Sequence, residues 1–252
     1  MVADNIIILA LECASRACSV AVLRGGQIVA HDFRLMERGQ AEALAPMIRS
    51  VMKLGETGFP DIGLLAVSVG PGAFTGLRIG LSMARGLALA AGLPLLGITN
   101  FDAIAEAAPE LKAAPDRRLL AALETKRADL YVQLFQGPET ALSQPQAMAM
   151  EGLAGLAAGV DGPLPLLVAG DGGERAARQL KEDGIAVEIS AGPAHADARI
   201  VARIAERRHR LGPEAPPVDL EPLYLRPPDA TLPRKRPLAH LHKLHKPRQS
   251  DD

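Results

Sequence analysis

Tryptophan is absent from this 252-residue chain, and phenylalanine and tyrosine together supply only 3% of it. So few rings leave little for stacking on bases and argue against an RNA-binding module, and Val, Ile, Leu and Ala must fill the core. Cysteine is nearly missing too: Cys13 and Cys18 are the only two, and they do not form a C-x-x-C. Two thiols in a chain this long suit a reduced compartment and a role as small core residues; a disulfide between them is the alternative. Long apolar runs are lacking as well. Ile6–Leu9 is too short for a signal segment and has no basic residues ahead of it, while the window 79–98 is broken by Arg85, glycines and Pro94. A cytoplasmic protein without a membrane span is expected.

Net charge is small, −1 at pH 7, but unevenly spread. From Arg234 onward there are six Lys or Arg and two Asp, which leaves 22 basic and 27 acidic residues in the other 233. The body is mildly acidic and the tail basic. With 48% hydrophobic residues, the chain has ample material for a core.

The most specific stretch lies at residues 64–80. A strand-like run, Leu64 to Val69, meets Gly70-Pro71-Gly72, and a helical pattern follows from near Thr75, a candidate N-cap. Gly70 and Gly72 allow positive φ or close backbone approach, and Pro71 stiffens the turn. A glycine loop before a helix attracts anions, yet this one has neither the Lys-Ser/Thr of a P-loop nor G-x-G-x-x-G spacing. In the helix, Gly76, Gly80, Ala84 and Ala88 form a stripe of small residues, flanked by the rows Leu77/Leu81 and Ile79/Met83/Leu87. Apolarity almost all round marks a helix covered on more than one side. Either the helix is central to its own domain, or one face packs on the sheet and the other meets a second polypeptide.

The chain reads as two related halves. Ile8-Leu9-Ala10-Leu11-Glu12 followed by Cys18–Leu23 is echoed by Leu119–Glu124 followed by Asp129–Phe135. The strand–glycine–helix unit is echoed by Leu164–Ala169, Gly170-Asp171-Gly172-Gly173 and a helix over 174–182. A duplicated strand-strand-strand-helix-strand-helix unit predicts an α/β actin-like (ASKHA, RNase H-like) two-lobe fold. The expected division is 1–104 for the first lobe, 105–211 for the second lobe and a closing helix, and 212–252 for a Pro-rich, basic tail. Within it, Arg234–Arg248 reads as solvated, with contact to RNA phosphates as the alternative.

Glu12 and Glu124 occupy equivalent strand ends at the groove between the lobes. A metal-holding or acid–base pair is one reading; two solvated strand-end glutamates is the other, and the preferred one. No His-x-x-x-His pair is present, His31 and His209 stand alone, and Ser15, Ser19 and Cys13 have no evident His partner. Catalytic and metal-ligating residues are therefore expected to be absent, with Glu12, Glu124, Gly70, Gly72 and Thr75 marking at most a vestigial cleft.

The residues Gly70-Pro71-Gly72-Ala73-Phe74-Thr75-Gly76-Leu77-Arg78-Ile79-Gly80 resemble the G-P-G-S-F-T-G-L/V-R-I-G signature of the TsaB (YeaZ) family. Ile8–Glu12 with Cys18–Ala21, Leu44–Ile48, and Glu221-Pro222-Leu223-Tyr224-Leu225-Arg226 are similar to further family motifs in the same order. The resemblance implies a non-catalytic subunit of the bacterial machinery for tRNA threonylcarbamoyladenosine. It implies pairing with a TsaD-type transferase, joined by a TsaE-type ATPase, with a homodimer in isolation and tRNA reached through the complex. ATP would be used by the complex and no cofactor by this chain. The implied partner surface comprises Phe74, Gly76, Leu77, Gly80, Leu81 and Ala84, with Met47 and Val51 of the preceding helix. Glu12, Ala73 and Gln40 depart from the family's usual Asp, Ser and His.

Overall fold

The computed structural model describes residues 6–158, 164–212 and 220–226. The first half runs β1 (Ile7–Glu12), β2 (Ala17–Arg24), β3 (Gln27–Leu35), α1 (Gln40–Leu54), β4 (Leu64–Gly70), α2 (Phe74–Ala91), β5 (Leu95–Thr99), α3 (Asn100–Ala107) and α4 (Pro109–Ala113). The second runs β6 (Arg118–Glu124), β7 (Leu130–Gln136), β8 (Thr140–Ala141), β9 (Gln146–Met148), α5 (Leu153–Ala158), β10 (Leu166–Ala169), α6 (Gly173–Glu182), β11 (Val187–Ile189) and α7 (Ala198–Leu211).

The two sheets repeat one plan. The first has the order β3-β2-β1-β4-β5 and the second β8-β7-β6-β10-β11, with β9 also paired to β7. In each, the leading strand is antiparallel to the next one in sequence and parallel to the strand that follows a helix. This is the duplicated, actin-like α/β architecture that the sequence predicts.

Strand composition explains the layering. β1 and β4 are apolar almost throughout because both their faces are covered. With side chains alternating along β1, Leu9 and Leu11 pack toward α1 and α2, while Ile8 and Ala10 pack toward α7. In the second sheet, Leu120 and Ala122 face α5 and α6, and Leu119 and Ala121 face Phe101, Ile104 and Leu111 of α3 and α4.

The lobes thus exchange helices. The closing helix α7, grouped by sequence order with the second lobe, lies on the first sheet, where Ala198 N donates to Ser19 Oγ at 2.9 Å. Conversely, α3 and α4 lie on the second sheet, so the expected division at 104/105 falls inside α3. Hydrophobic periodicity shows that a helix has a buried face but not which sheet receives it. Short α4, α5, β8, β9 and β11 carry too few residues for a periodic signal. The basic tail beyond Pro233 lies outside the described residues.

Candidate functional site

Glu12 closes β1 and turns inward. It is fully buried. Its Oε1 accepts from Ala14 N at 2.7 Å and Ser15 N at 2.8 Å, and its Oε2 accepts from Ser15 Oγ at 2.8 Å. These bonds shape the turn into β2. Burial, outweighing the hydrogen bonds, pushes the Glu12 pKa from 4.5 up to about 7.

The turn in turn fills the glycine loop. Gly70 has φ +96, the conformation its position in the loop requires. Ala14 O accepts from Ala73 N at 2.6 Å, and a Cβ on Gly72 would lie 1.9 Å from that same oxygen. On Gly76, a Cβ would lie 2.0 Å from Cys13 O. The chain's own backbone therefore lies against one side of these glycines and takes the Ala73 N–H, while their other side lines the cleft. The helix begins one residue before the expected cap: Ala73 occupies the N-cap without a side-chain bond, and Thr75 is an exposed first-turn residue.

This geometry corrects the reading of the small-residue stripe. Gly76, Leu77, Gly80, Leu81 and Ala84 point into the first lobe, and Met47 and Val51 of α1 are buried there with them. Close backbone approach is what the glycines serve, but the approaching backbone is residues 13–14 of the same chain. Of the eight residues expected at a partner surface, only Phe74 is open, at 48% exposure.

The second lobe repeats the backbone and changes the chemistry. Gly170 has φ +101, and Ala122 O accepts from Gly172 N at 3.0 Å. Glu124, the counterpart of Glu12, turns outward: its Oε2 accepts from Arg175 Nη1 at 2.5 Å, and its backbone N donates to Asp171 Oδ1 at 2.9 Å. Neither glutamate is a solvated strand end, contrary to the preferred expectation; one is sealed in the core and the other is ion-paired. His31 is not on a solvated face either, since its Nε2 lies 3.1 Å from buried Asp197. Burial alone would raise the Asp197 pKa, but His31 and Arg199 outweigh it and hold that carboxyl well below its usual range.

Between the lobes lies a cleft of about 1010 Å³, lined by the two β–β turns, the two glycine loops and residues 223–226. Buried Asn100 donates through Nδ2 to Pro71 O at 3.1 Å, holding α3 against the glycine loop. Residues 220–226 form a strap across the cleft mouth. Leu223 N donates to Val69 O at 2.8 Å, Tyr224 stacks on Phe74 at 5.5 Å, and Arg78 Nε donates to the Tyr224 hydroxyl at 3.0 Å. Arg226 then pairs with Asp129 of the second lobe. Among the described residues no three His, Cys, Asp or Glu side chains converge as metal ligands.

A family model described as TsaD, tRNA N6-adenosine threonylcarbamoyltransferase, matches residues 34–179, more than half of the chain. The tRNA threonylcarbamoyladenosine biosynthesis protein TsaB of Escherichia coli (strain K12) is 37% identical over 135 residues, covering 54% of this chain and 57% of that protein. The chain belongs to the TsaB (YeaZ) proteins of this TsaD-like family. The TsaB of Haemophilus influenzae is also 37% identical, over 51% of this chain and 53% of its own length. The chain thus spans about half the length of these TsaB relatives. The solved structure described as YeaZ from Pseudomonas aeruginosa superposes with a TM-score of 0.70 at 25% identity, covering 87% of this chain and 100% of that one.

For a TsaB-family chain, the sequence motifs meet at the cleft. The glycine signature, the β1 end and the Glu221–Arg226 motif all converge there. Sequence reasoning missed Asn100, Asp171 and Arg175 as contributors, because single polar residues at helix starts carry no distinguishing pattern. The contact between Phe74 and Tyr224 was equally hidden, although each residue sits in a motif already noted.

Proposed function

We propose that this chain is a non-catalytic accessory subunit in bacterial tRNA threonylcarbamoyladenosine formation, binding and activating a TsaD-type transferase. One observation carries the reading: at the glycine loop the Ala73 N–H, which an anion at this helix start would use, is already taken by the Ala14 carbonyl at 2.6 Å. The names and identities of the TsaB relatives support the pathway. A TsaE-type ATPase would consume the ATP of the complex, tRNA would be reached through the transferase, and a second copy of the chain would take the transferase's place in isolation. This reading assigns the chain to the cytoplasm; among the described residues no helix is long and apolar enough to cross a membrane.

With the glycine stripe turned inward, the docking surface is the flank of α2 beside that stripe, which the first-lobe core covers only in part. Ile79, Met83 and Leu87 form a half-buried row there, and Leu89 on α2 at 87% and Leu54 at the end of α1 at 70% are the most exposed large apolar side chains of the two helices. A surface of this kind gains about 25 cal/mol per Å² of apolar area when covered. Leu89→Asp, at a side chain that is 87% exposed, should weaken binding to a co-purified TsaD-type transferase at least tenfold while the melting temperature holds. Unchanged binding defeats the docking surface. Threonylcarbamoyl transfer that is equally fast without this chain defeats the accessory role. Calorimetry of the isolated chain with Mg·ATP tests the alternative, an independent actin-like ATPase or kinase; tight binding there would overturn the non-catalytic reading.

A further inference from the structure

Cys13 and Cys18 are both fully buried, both unbridged, and their sulfurs lie 3.3 Å apart. Their placement follows from the ladder. β1 and β2 pair antiparallel through Leu11↔Val20 and Glu12↔Ser19, so one further step sets Cys13 opposite Cys18. Both side chains belong to the core cluster on the α1/α2 face of the sheet. Directly opposed antiparallel residues have Cα atoms about 4.5–5.5 Å apart, inside the roughly 4.4–6.8 Å that a disulfide spans. Closing the bond needs the sulfurs to approach to about 2.05 Å, a movement that side-chain rotation supplies.

The equivalent position of the second lobe is also fastened. There the ladder ends at Glu124↔Leu130, and the next opposed pair, Thr125 and Asp129, is tied by a hydrogen bond from Thr125 Oγ1 to Asp129 Oδ1 at 2.7 Å. In both lobes the pair just past the strand-end glutamate links the mouth of the β–β turn. In the first lobe the linking atoms are two thiols.

We infer that Cys13 and Cys18 are a reversible dithiol–disulfide site that locks the turn seating the glycine loop. The turn residues Ala14, Ser15 and Arg16 line the cleft, so the thiols lie one residue layer behind its wall. With Cys18 attacking first, the hydrogen bond it accepts from Cys13 favours its thiolate; either sulfur can be the donor of that bond, and the reverse order gives the same disulfide. The oxidant is a low-molecular-weight disulfide. Cys18 thiolate attacks one of its sulfurs, that S–S bond breaks, and a mixed disulfide forms. Cys13 then attacks the Cys18 sulfur, the mixed disulfide breaks, and the small molecule leaves as a thiol. Two electrons pass from the protein to the oxidant, and the two thiol protons end on the released thiols.

The test is an equilibrium one, so that slow access to a buried pair does not decide it. Full-length protein is equilibrated with mixtures of oxidised and reduced dithiothreitol, quenched, alkylated and read by intact mass and peptide mapping. The folded chain should hold the Cys13–Cys18 disulfide with an equilibrium constant at least tenfold above that of the urea-unfolded chain, and the oxidised form should melt higher than the reduced one. Cys18→Ser should melt at one temperature in either mixture. An equilibrium constant no larger than that of the unfolded chain, a disulfide joining two chains, or an oxidised form that melts lower overturns the inference. None of these readouts depends on the accessory role.

Discussion

Glu12 and Glu124 end equivalent strands, each directly after a leucine (Leu11 and Leu123) and each ahead of a β–β turn, yet one is sealed in the core and the other reaches outward to Arg175. The difference lies in what surrounds the strand end. In the first lobe the carboxylate finds two backbone N–H groups and the Ser15 hydroxyl within its own turn. The second turn ties itself instead through Thr125 and Asp129, and Glu124 is left to an ion pair at the cleft edge. Duplication has preserved the backbone frame, including Gly70 at φ +96 and Gly170 at φ +101, while the polar chemistry of the two halves has separated. A shared topology is therefore a weak guide to shared chemistry.

The sharpest way to break the comparison is at the glycines. Gly72→Val drives side-chain carbon into Ala14 O, where even a Cβ would stand at 1.9 Å, and should cost more than about 4 kcal/mol, read as loss of the folded protein in thermal melts. Next come the carboxylates. Glu12→Ala leaves the buried Ala14 N–H and the part-buried Ser15 N–H without their acceptor and should cost about 3 kcal/mol, whereas Glu124→Ala removes a partly exposed ion pair and should cost less than about 1 kcal/mol. Equal losses in chemical denaturation would erase the distinction between the lobes.

A pH series separates them further. Because the folded-state pKa of Glu12 is raised from 4.5 to about 7, the native chain holds a proton there that the unfolded chain has released. Its contribution to stability is therefore full below pH 4.5 and lost as pH rises through 7, by up to about 3 kcal/mol. In Glu12→Gln, whose amide oxygen still accepts from Ala14 and Ser15, that slope should vanish; a slope that persists assigns it to another group. The smallest effect is expected at the outward glycine of α2. Nothing lies within 4 Å of a Cβ on Gly86, so Gly86→Ala should stabilise by about 0.5–1 kcal/mol, measurable as a raised denaturation midpoint.

Much of the fold was legible in the residues themselves. Alternating and continuous apolar runs located β1, β2, β4, β6 and β7. The site was legible as a place more than as an arrangement. The glycine signature, Glu12 and Glu124 do gather around one cleft, but the burial of the first glutamate and the outward turn of the second depend on neighbours contributed by distant segments. Asp171 and Arg175 illustrate this, since both reach Glu124 from α6 and the loop before it.

The amino-acid order alone determined the repeated unit, the positions of the strands and long helices, and the demand for close backbone approach at residues 70–80, because periodicity and glycine content are local properties. Which backbone makes that approach was decided only by the folded molecule. A stripe of small residues accepts any polypeptide that fits, and it is the inward pull of buried Glu12 on the turn at 13–16 that delivers the chain's own main chain to it.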